Sequence, residues 1–267
     1  MNDKKANKLV IFSAIFLVMS GVVLYYIFER QGYDNKGERN YVNYSVSDYV
    51  VTTPVIFSGY DNFYSSINVS KLDITNIDPE VTKAFINEEK ELLNYISGYY
   101  NNVVPKEGYT PVNTATSNIK TQINGAVLSI FYQMNIKLDE NLFEDNEKSY
   151  IVTTNIDLAA ERELTVDDLL TKYNYTKKYI SEKIFEEDVL IGNGEVVIDK
   201  NTNISLTKQD VEKRKEEYIN RITDEFNNII KVYIENNYLT LVYDKKELNN
   251  LFFDNKFNTD IKIRYLK

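Results

Sequence analysis

The sequence predicts an α+β protein, with antiparallel sheet packed against helices and preceded by one N-terminal transmembrane helix. Three observations predict it. Leu128, Ile130, Tyr132, Met134, Ile136 and Leu138 alternate strictly, the two-residue period of a strand with one buried face. Val81, Phe85, Leu92, Ile96 and Tyr99 keep helical spacing, the mark of an amphipathic helix. Residues 9–28 run for twenty positions without a charge.

That apolar run comes first in the chain. As a helix rising about 1.5 Å per residue it is about 30 Å long, the thickness of a bilayer hydrocarbon core. A cleaved signal peptide fits less well. Its apolar core is usually about 7–15 residues, followed by small residues at the cleavage site. Here the run ends in Tyr25, Tyr26, Ile27 and Phe28, and tyrosines suit a membrane interface. Lys4, Lys5 and Lys8 precede it, opposed by Asp3 alone, while Glu29, Arg30 and Asp34 follow. The positive-inside rule then keeps residues 1–8 in the cytoplasm and sends the rest outside. Residues 29–41, polar with two glycines, read as a tether.

Beyond the tether two parts are expected, 42–119 and 120–267. Residues 41–57 and 65–74, rich in Val, Tyr, Ile and Thr, predict strands. Asp78-Pro79-Glu80 opens the helix that runs to about Tyr100, with Asp as N-cap and Pro in the first turn. Residues 101–119 hold Pro105, Gly108 and Pro111 among many Asn and Thr, and read as a loop between subdomains. The alternating strand over 128–138 follows, then an acidic turn over 139–148 and an antiparallel strand over 150–158. Thr165 with Asp168, and Thr207 with Asp210, are capping boxes that each open a helix. Between them a helix starts near Thr176 and turns Tyr179, Ile180 and Ile184 inward. In the later one Val211, Tyr218, Ile222, Phe226 and Ile229 line the core side of one long helix. Asn236-Asn237 is a hairpin turn between strands over 231–235 and 238–243. Ile261, Ile263 and Tyr265 form the last strand.

Composition excludes much chemistry. The 267 residues include no Cys, no His and no Trp, against 22 Tyr and 13 Phe. Thiol nucleophiles, disulfides, imidazole bases and Cys/His zinc sites are therefore absent. The nine glycines form no phosphate loop or dinucleotide fingerprint. Paired carboxylates at Glu88-Glu89, Asp167-Asp168, Glu186-Glu187 and Glu216-Glu217 are sequence neighbours, which on a helix do not face one another, and read as solvated faces. No catalytic residue and no cofactor is expected. A weak calcium-loop pattern places Asp199, Asn201, Asn203, Ser205 and Asp210 at ligand spacing. Ile204 stands where such a loop needs Gly, and Asp210 where it needs the longer Glu, so a solvated turn before a capped helix is the stronger reading.

The net charge is −9, and because three lysines against one aspartate leave residues 1–28 at +2, the remainder carries −11. Such a surface disfavours nucleic acid and attracts cationic partners, although acidity also serves solubility. The abundance of Asn, Lys, Ile and Tyr points to an A+T-rich genome, hence a low-GC bacterium.

The stretch from Asn155-Ile-Asp-Leu158 through Arg162-Glu-Leu-Thr-Val-Asp-Asp-Leu-Leu170 resembles a "D-L-x-x-G-x-x-L-T-L-x-D-L-F" signature. That signature belongs to the extracytoplasmic domain shared by the anti-sigma factor RsiV and the peptidoglycan deacetylase PdaC. The hairpin near the end and the closing strand are similar to that domain's ending, and residues 67–96 to the companion domain that often precedes it. Ala160-Glu161 replaces the signature's Gly, and the usual Gly-Ala-His-like turn gives way to the acidic, His-free stretch over 139–148. No deacetylase domain and no sigma-binding cytoplasmic segment is present. The resemblance implies an exported sensory or binding module, which in RsiV-like proteins binds lysozyme, a cationic protein.

The expectation is therefore a non-enzymatic, single-pass binding or sensory domain on the outer side of the cell membrane, taking a cationic protein such as lysozyme or an envelope ligand. Asp139, Glu140, Glu144, Asp145 and Glu147 are the candidate partner-binding residues. A carboxylate-based wall-glycan enzyme and a structural subunit of a membrane complex are the alternatives.

Overall fold

The structure, a computed structural model, describes residues 44–56, 64–102, 113–140, 146–255 and 257–266, with backbone alone for residues 97 and 99–102. The expected membrane span and tether lie outside them. Among the described residues no helix is long and apolar enough to cross a membrane.

A 3-10 turn (Val46–Asp48) leads into β1 (Val50–Pro54), so only part of the strand expected over 41–57 is strand. The single strand expected over 65–74 is two, β2 (Tyr64–Asn68) and β3 (Ser70–Ile74). They separate at Val69, which is buried. Its C=O accepts the N–H of Val55 at 2.9 Å, while the Ser70 N–H turns to Ser117 Oγ at 2.9 Å. Each half then joins a different sheet: β3 pairs antiparallel with β1, and β2 pairs parallel with β4 (Asn113–Asn124).

Helix α1 (Pro79–Asn102) lies between β3 and β4 and supplies the crossover that parallel pairing requires. Asp78 caps it, accepting the Glu80 N–H at 3.0 Å. β4 begins inside the segment that reads as a loop, because its pattern is mostly polar. Of its residues only Asn113 and Ala115 are fully buried. β4 turns at Gly125, whose φ of +62° suits glycine, into β5 (Val127–Lys137). β6 (Glu147–Asp157) and the short β7 (Arg162–Glu163) complete a five-stranded sheet of order β2-β4-β5-β6-β7.

The rest of the chain is mainly helical around a second sheet. α2 (Val166–Lys172) opens on the expected capping box, Thr165 with Asp168. α3 (Lys177–Ile184) runs on into a π-helical turn, Phe185–Val189. Ile180 and Ile184 are buried, but Tyr179 points outward and is 47% exposed. A small hairpin, β8 (Val196–Ile198) and β9 (Ser205–Thr207), precedes α4 (Lys208–Lys213), α5 (Lys215–Asp224) and α6 (Phe226–Ile229). These three replace the single long helix, with breaks at Arg214 and Glu225; the Arg214 side chain leaves the helix line to pair with Asp199. β10 (Lys231–Glu235) and β11 (Tyr238–Asp244) form the expected hairpin. Its turn residues Asn236 and Asn237 both have positive φ, +52° and +65°, the geometry of a tight hairpin turn. α7 (Lys245–Asn250) and β12 (Ile261–Leu266) follow, and β12 pairs with β11.

Two cores result. Leu128, Ile130, Tyr132, Met134 and Ile136 of β5 pack against Phe85, Leu92 and Ile96 of α1. Val232, Ile234, Leu239 and Leu241 of the three-stranded sheet pack against Leu169, Ile180, Ile184, Val211, Ile222 and Phe226 of the helices. The two sheets meet between these cores, where the Phe131 and Tyr233 rings stack with centroids 5.0 Å apart. A buried polar tie fixes their relation. Ser129 Oγ donates to Asn155 Oδ1 at 2.7 Å, and Asn155 Nδ2 donates to the Val232 C=O at 2.8 Å. The architecture is α+β with antiparallel sheets packed against helices, and β2 is the one strand whose pairing is parallel among those described.

Candidate functional site

The residues singled out in the sequence do not gather. Asp199 ends the β8 strand region as the first residue of a hairpin turn, and its carboxylate is fully engaged. Oδ1 accepts from the backbone N–H groups of Asn201 and Thr202 and from the Thr202 hydroxyl, while Oδ2 pairs with Arg214 at 2.6 Å. Burial pushes this carboxyl up, but those hydrogen bonds and Arg214 outweigh it and hold it below the ordinary aspartate value. Asp210 is likewise spent on Thr207, whose N–H and hydroxyl both reach Oδ2. Ser205 is paired in β9 and Asn203 adopts φ +56° within the turn. The calcium pattern is thus a hairpin turn and a helix cap. Among the described residues no group of three or more acidic side chains is placed to hold a metal ion.

The acidic stretch divides too. Asp139 is buried at 8% exposure and its N–H donates to Asn113 Oδ1 at 2.7 Å, so it is not available as a surface contact. Glu140 is exposed. Glu147 starts β6 and pairs with Lys137 across the ladder at 3.4 Å. Glu144 and Asp145 lie outside the described residues.

A different place concentrates charge. A cleft of about 380 Å³ runs along β6, lined by Glu88, Glu91 and Tyr95 of α1 on one side. Asn228, Lys231, Asp244 and Glu247 line the other, and residues 149–152 form the floor. Four carboxylates thus share the cleft with one lysine ammonium. Tyr95 stacks on Tyr150 with centroids 4.6 Å apart and planes 9° from parallel, yet remains 44% exposed. Asp244 is held in place as the α7 N-cap, accepting the N–H groups of Lys246 at 2.8 Å and Asp260 at 3.0 Å. Desolvation first, and the charge of Asp244 second, raise the Glu247 carboxyl above the ordinary glutamate value. Glu88 sits here while its sequence neighbour Glu89 points into the protein, so this pair is not one solvated face.

The floor of the cleft is also a sheet edge. β7 covers only the end of β6, where the Leu164 N–H reaches the Asn155 C=O at 2.7 Å. Backbone groups alternate sides along a strand, so Glu147, Ser149, Ile151 and Thr153 direct theirs the same way as Asn155, away from β5. The Thr259 hydroxyl contacts the Glu147 C=O at 3.3 Å. Among the described residues the backbone N–H and C=O groups of Ile151 and Thr153 have no partner.

No single segment could have revealed this cleft in the sequence, since α1, β6, α6, β10, β11 and α7 all contribute to it. No family model and no curated protein matches the chain. Among solved structures it is similar to a DUF3298-family protein from Bacteroides fragilis, at 13% identity and a TM-score of 0.27. The overlap covers 64% of this chain and 61% of that one, so the chain spans less than two thirds of its neighbour's length.

Proposed function

We propose that the chain is a membrane-anchored, extracytoplasmic binding module of a low-GC bacterium, and that its β6 cleft takes a cationic protein such as lysozyme without catalysing a reaction. The observation that carries this reading is the cleft itself, where the exposed carboxylates of Glu88, Glu91 and Glu247 share the walls with one ammonium and an exposed tyrosine ring. A cation brought there gains attraction from both walls, and an arginine or lysine can lie over Tyr95. The anchor rests on the uncharged run at 9–28 and the lysines before it. The absence of Cys and His from the chain supports binding over catalysis.

Kinship with the extracytoplasmic domain of RsiV and PdaC belongs to the same proposal. The shared signature encodes the end of β6, a tight turn, β7 and the capped start of α2. Asp157 Oδ1 caps that turn by accepting the N–H groups of Ala159 and Ala160, both at 3.0 Å. Where the signature has Gly, Glu161 adopts φ +50°, a left-handed conformation that glycine tolerates best.

Surface plasmon resonance with the full chain in nonionic detergent over immobilised lysozyme tests the reading. Binding is expected at low salt and should weaken as salt rises, because exposed charges are screened beyond about 8 Å at physiological ionic strength. Combining Glu88→Gln, Glu91→Gln and Glu247→Gln should slow association more than it speeds dissociation. No binding at low salt would refute the proposal. One observation favours a second reading, a carboxylate-based wall-glycan enzyme. Glu247, raised and beside Asp244, has the character of a general acid. Turnover of purified peptidoglycan that Glu247→Gln abolishes would replace the binding reading.

A further inference from the structure

We propose that the cleft is a strand-addition site: an extended, lysine- or arginine-bearing segment of a partner protein pairs its backbone with the open edge of β6 between Ser149 and Thr153. This rests on the cationic-partner reading and adds how the partner is held.

The edge is bounded at both ends, and between them the outward backbone groups of Ile151 and Thr153 have no partner among the described residues. β7 occupies it from Asn155 onward, and Thr259 caps the Glu147 carbonyl. The stretch left over is about 16 Å long at about 3.3 Å per residue, enough for a five-residue strand. Sheet edges are normally guarded by charge, proline, a bulge or a cover. β12, an edge of the second sheet, carries Lys262 and Arg264. Residues 149–153 read Ser-Tyr-Ile-Val-Thr, strand-forming residues with no charge and no proline. The ladder to β5 is regular through this stretch, so the outward groups are already set at strand spacing.

The walls select the occupant. Side chains of an added strand alternate between its two faces. One set would meet Glu88, Glu91 and Tyr95, the other Glu247; Asp244 also lines that wall but is buried as the α7 cap. Basic residues at successive positions therefore each find a carboxylate. A second copy of this chain is disfavoured, because pairing two β6 edges would bring both sets of acidic walls together.

The test uses the full chain in nonionic detergent and two blocked peptides of about nine residues, in which pairs of adjacent lysines separated by threonine reach both walls. One is unmodified; the other carries N-methyl groups on every interior backbone amide, which removes the donors of both edges and leaves the charge unchanged. Fluorescence anisotropy at low salt should show the methylated peptide binding at least about fivefold more weakly, the loss expected for one net hydrogen bond. Hydrogen exchange at residues 149–153 should slow when the unmodified peptide binds. Ile151→Pro removes an outward N–H while sparing the bonds to β5, and should produce a similar loss with the circular dichroism spectrum unchanged. Equal affinity for the two peptides, or binding without protection at 149–153, overturns strand addition and leaves the cationic-partner reading standing. Failure of both the peptides and lysozyme to bind overturns both. A dimer in sedimentation that Ile151→Pro abolishes overturns the proposal in favour of a second copy.

Discussion

Two acidic regions of this protein differ in how their charge is answered. Behind the second sheet, Asp188 of the π-helical turn is buried, at 6% exposure, and Arg264 of β12 pairs with both Asp188 and Glu187. The Tyr243 hydroxyl donates to Asp188 and accepts from Arg264 Nε, closing the network. Burial opposes the charge of Arg264, yet its hydrogen bonds to Glu187, Tyr243 and Asp188 hold it above the ordinary arginine value. In the cleft, by contrast, the three exposed carboxylates of Glu88, Glu91 and Glu247 meet one lysine. Charge that is answered within the chain fixes the fold, and charge left unanswered is available to something else.

The comparison breaks most visibly at Arg264. Arg264→Ala leaves Asp188 buried and uncompensated, and urea unfolding should show a loss of about 3–5 kcal/mol. Glu89 sharpens it, being a buried carboxylate with a hydrogen bond, from the Leu72 N–H at 2.6 Å, but no ion pair among the described residues. Glu89→Ala strands that N–H and should cost about 1–3 kcal/mol. Glu89→Gln keeps an acceptor and removes the charge, so it should be neutral or stabilising at pH 7. Desolvation raises the Glu89 carboxyl from its ordinary 4.5, despite the bond from Leu72. The folded state thus binds more protons than the unfolded one between pH 4.5 and its own higher value. The contribution of Glu89 is most favourable below that pH and declines as pH rises toward the folded value; Glu89→Gln should remove this slope from thermal melts.

Asp199 gives the opposite sign, since its partners hold it below the ordinary 3.8. Its contribution is present above pH 3.8 and disappears as pH falls through the folded value. Asp199→Asn should cost about 1.5–3 kcal/mol, the range for one hydrogen bond to a charged group, and calcium should leave the melting temperature of the native chain unchanged. The smallest effect belongs to the cleft. Glu88→Gln with Glu91→Gln and Glu247→Gln should leave urea stability within about 0.5 kcal/mol or raise it slightly, as for surface changes that relieve repulsion.

Legibility in the sequence followed burial. β5 was readable because one of its faces is wholly apolar, and the capping boxes because Thr165 with Asp168, and Thr207 with Asp210, act within four residues. The β10–β11 hairpin was readable from Asn236-Asn237 for the same local reason. β4 was not, because its second face meets solvent and the other sheet and so carries Thr, Asn and Lys. The division of 65–74 depends on which sheet each half joins, a tertiary choice that no local pattern encodes. The charges of the acidic loop are contiguous in the sequence, while the cleft's carboxylates are scattered from Glu88 to Glu247 and meet only through the fold.

Asn155 carries one more consequence. Its side-chain amide joins β5, through Ser129, to β10, through the Val232 carbonyl, so neither core can open without stranding a buried polar group in the other. That ties the two cores into one cooperative unit. Differential scanning calorimetry should accordingly show a single transition whose calorimetric and van't Hoff enthalpies agree, and Asn155→Ala should be the substitution that splits it in two.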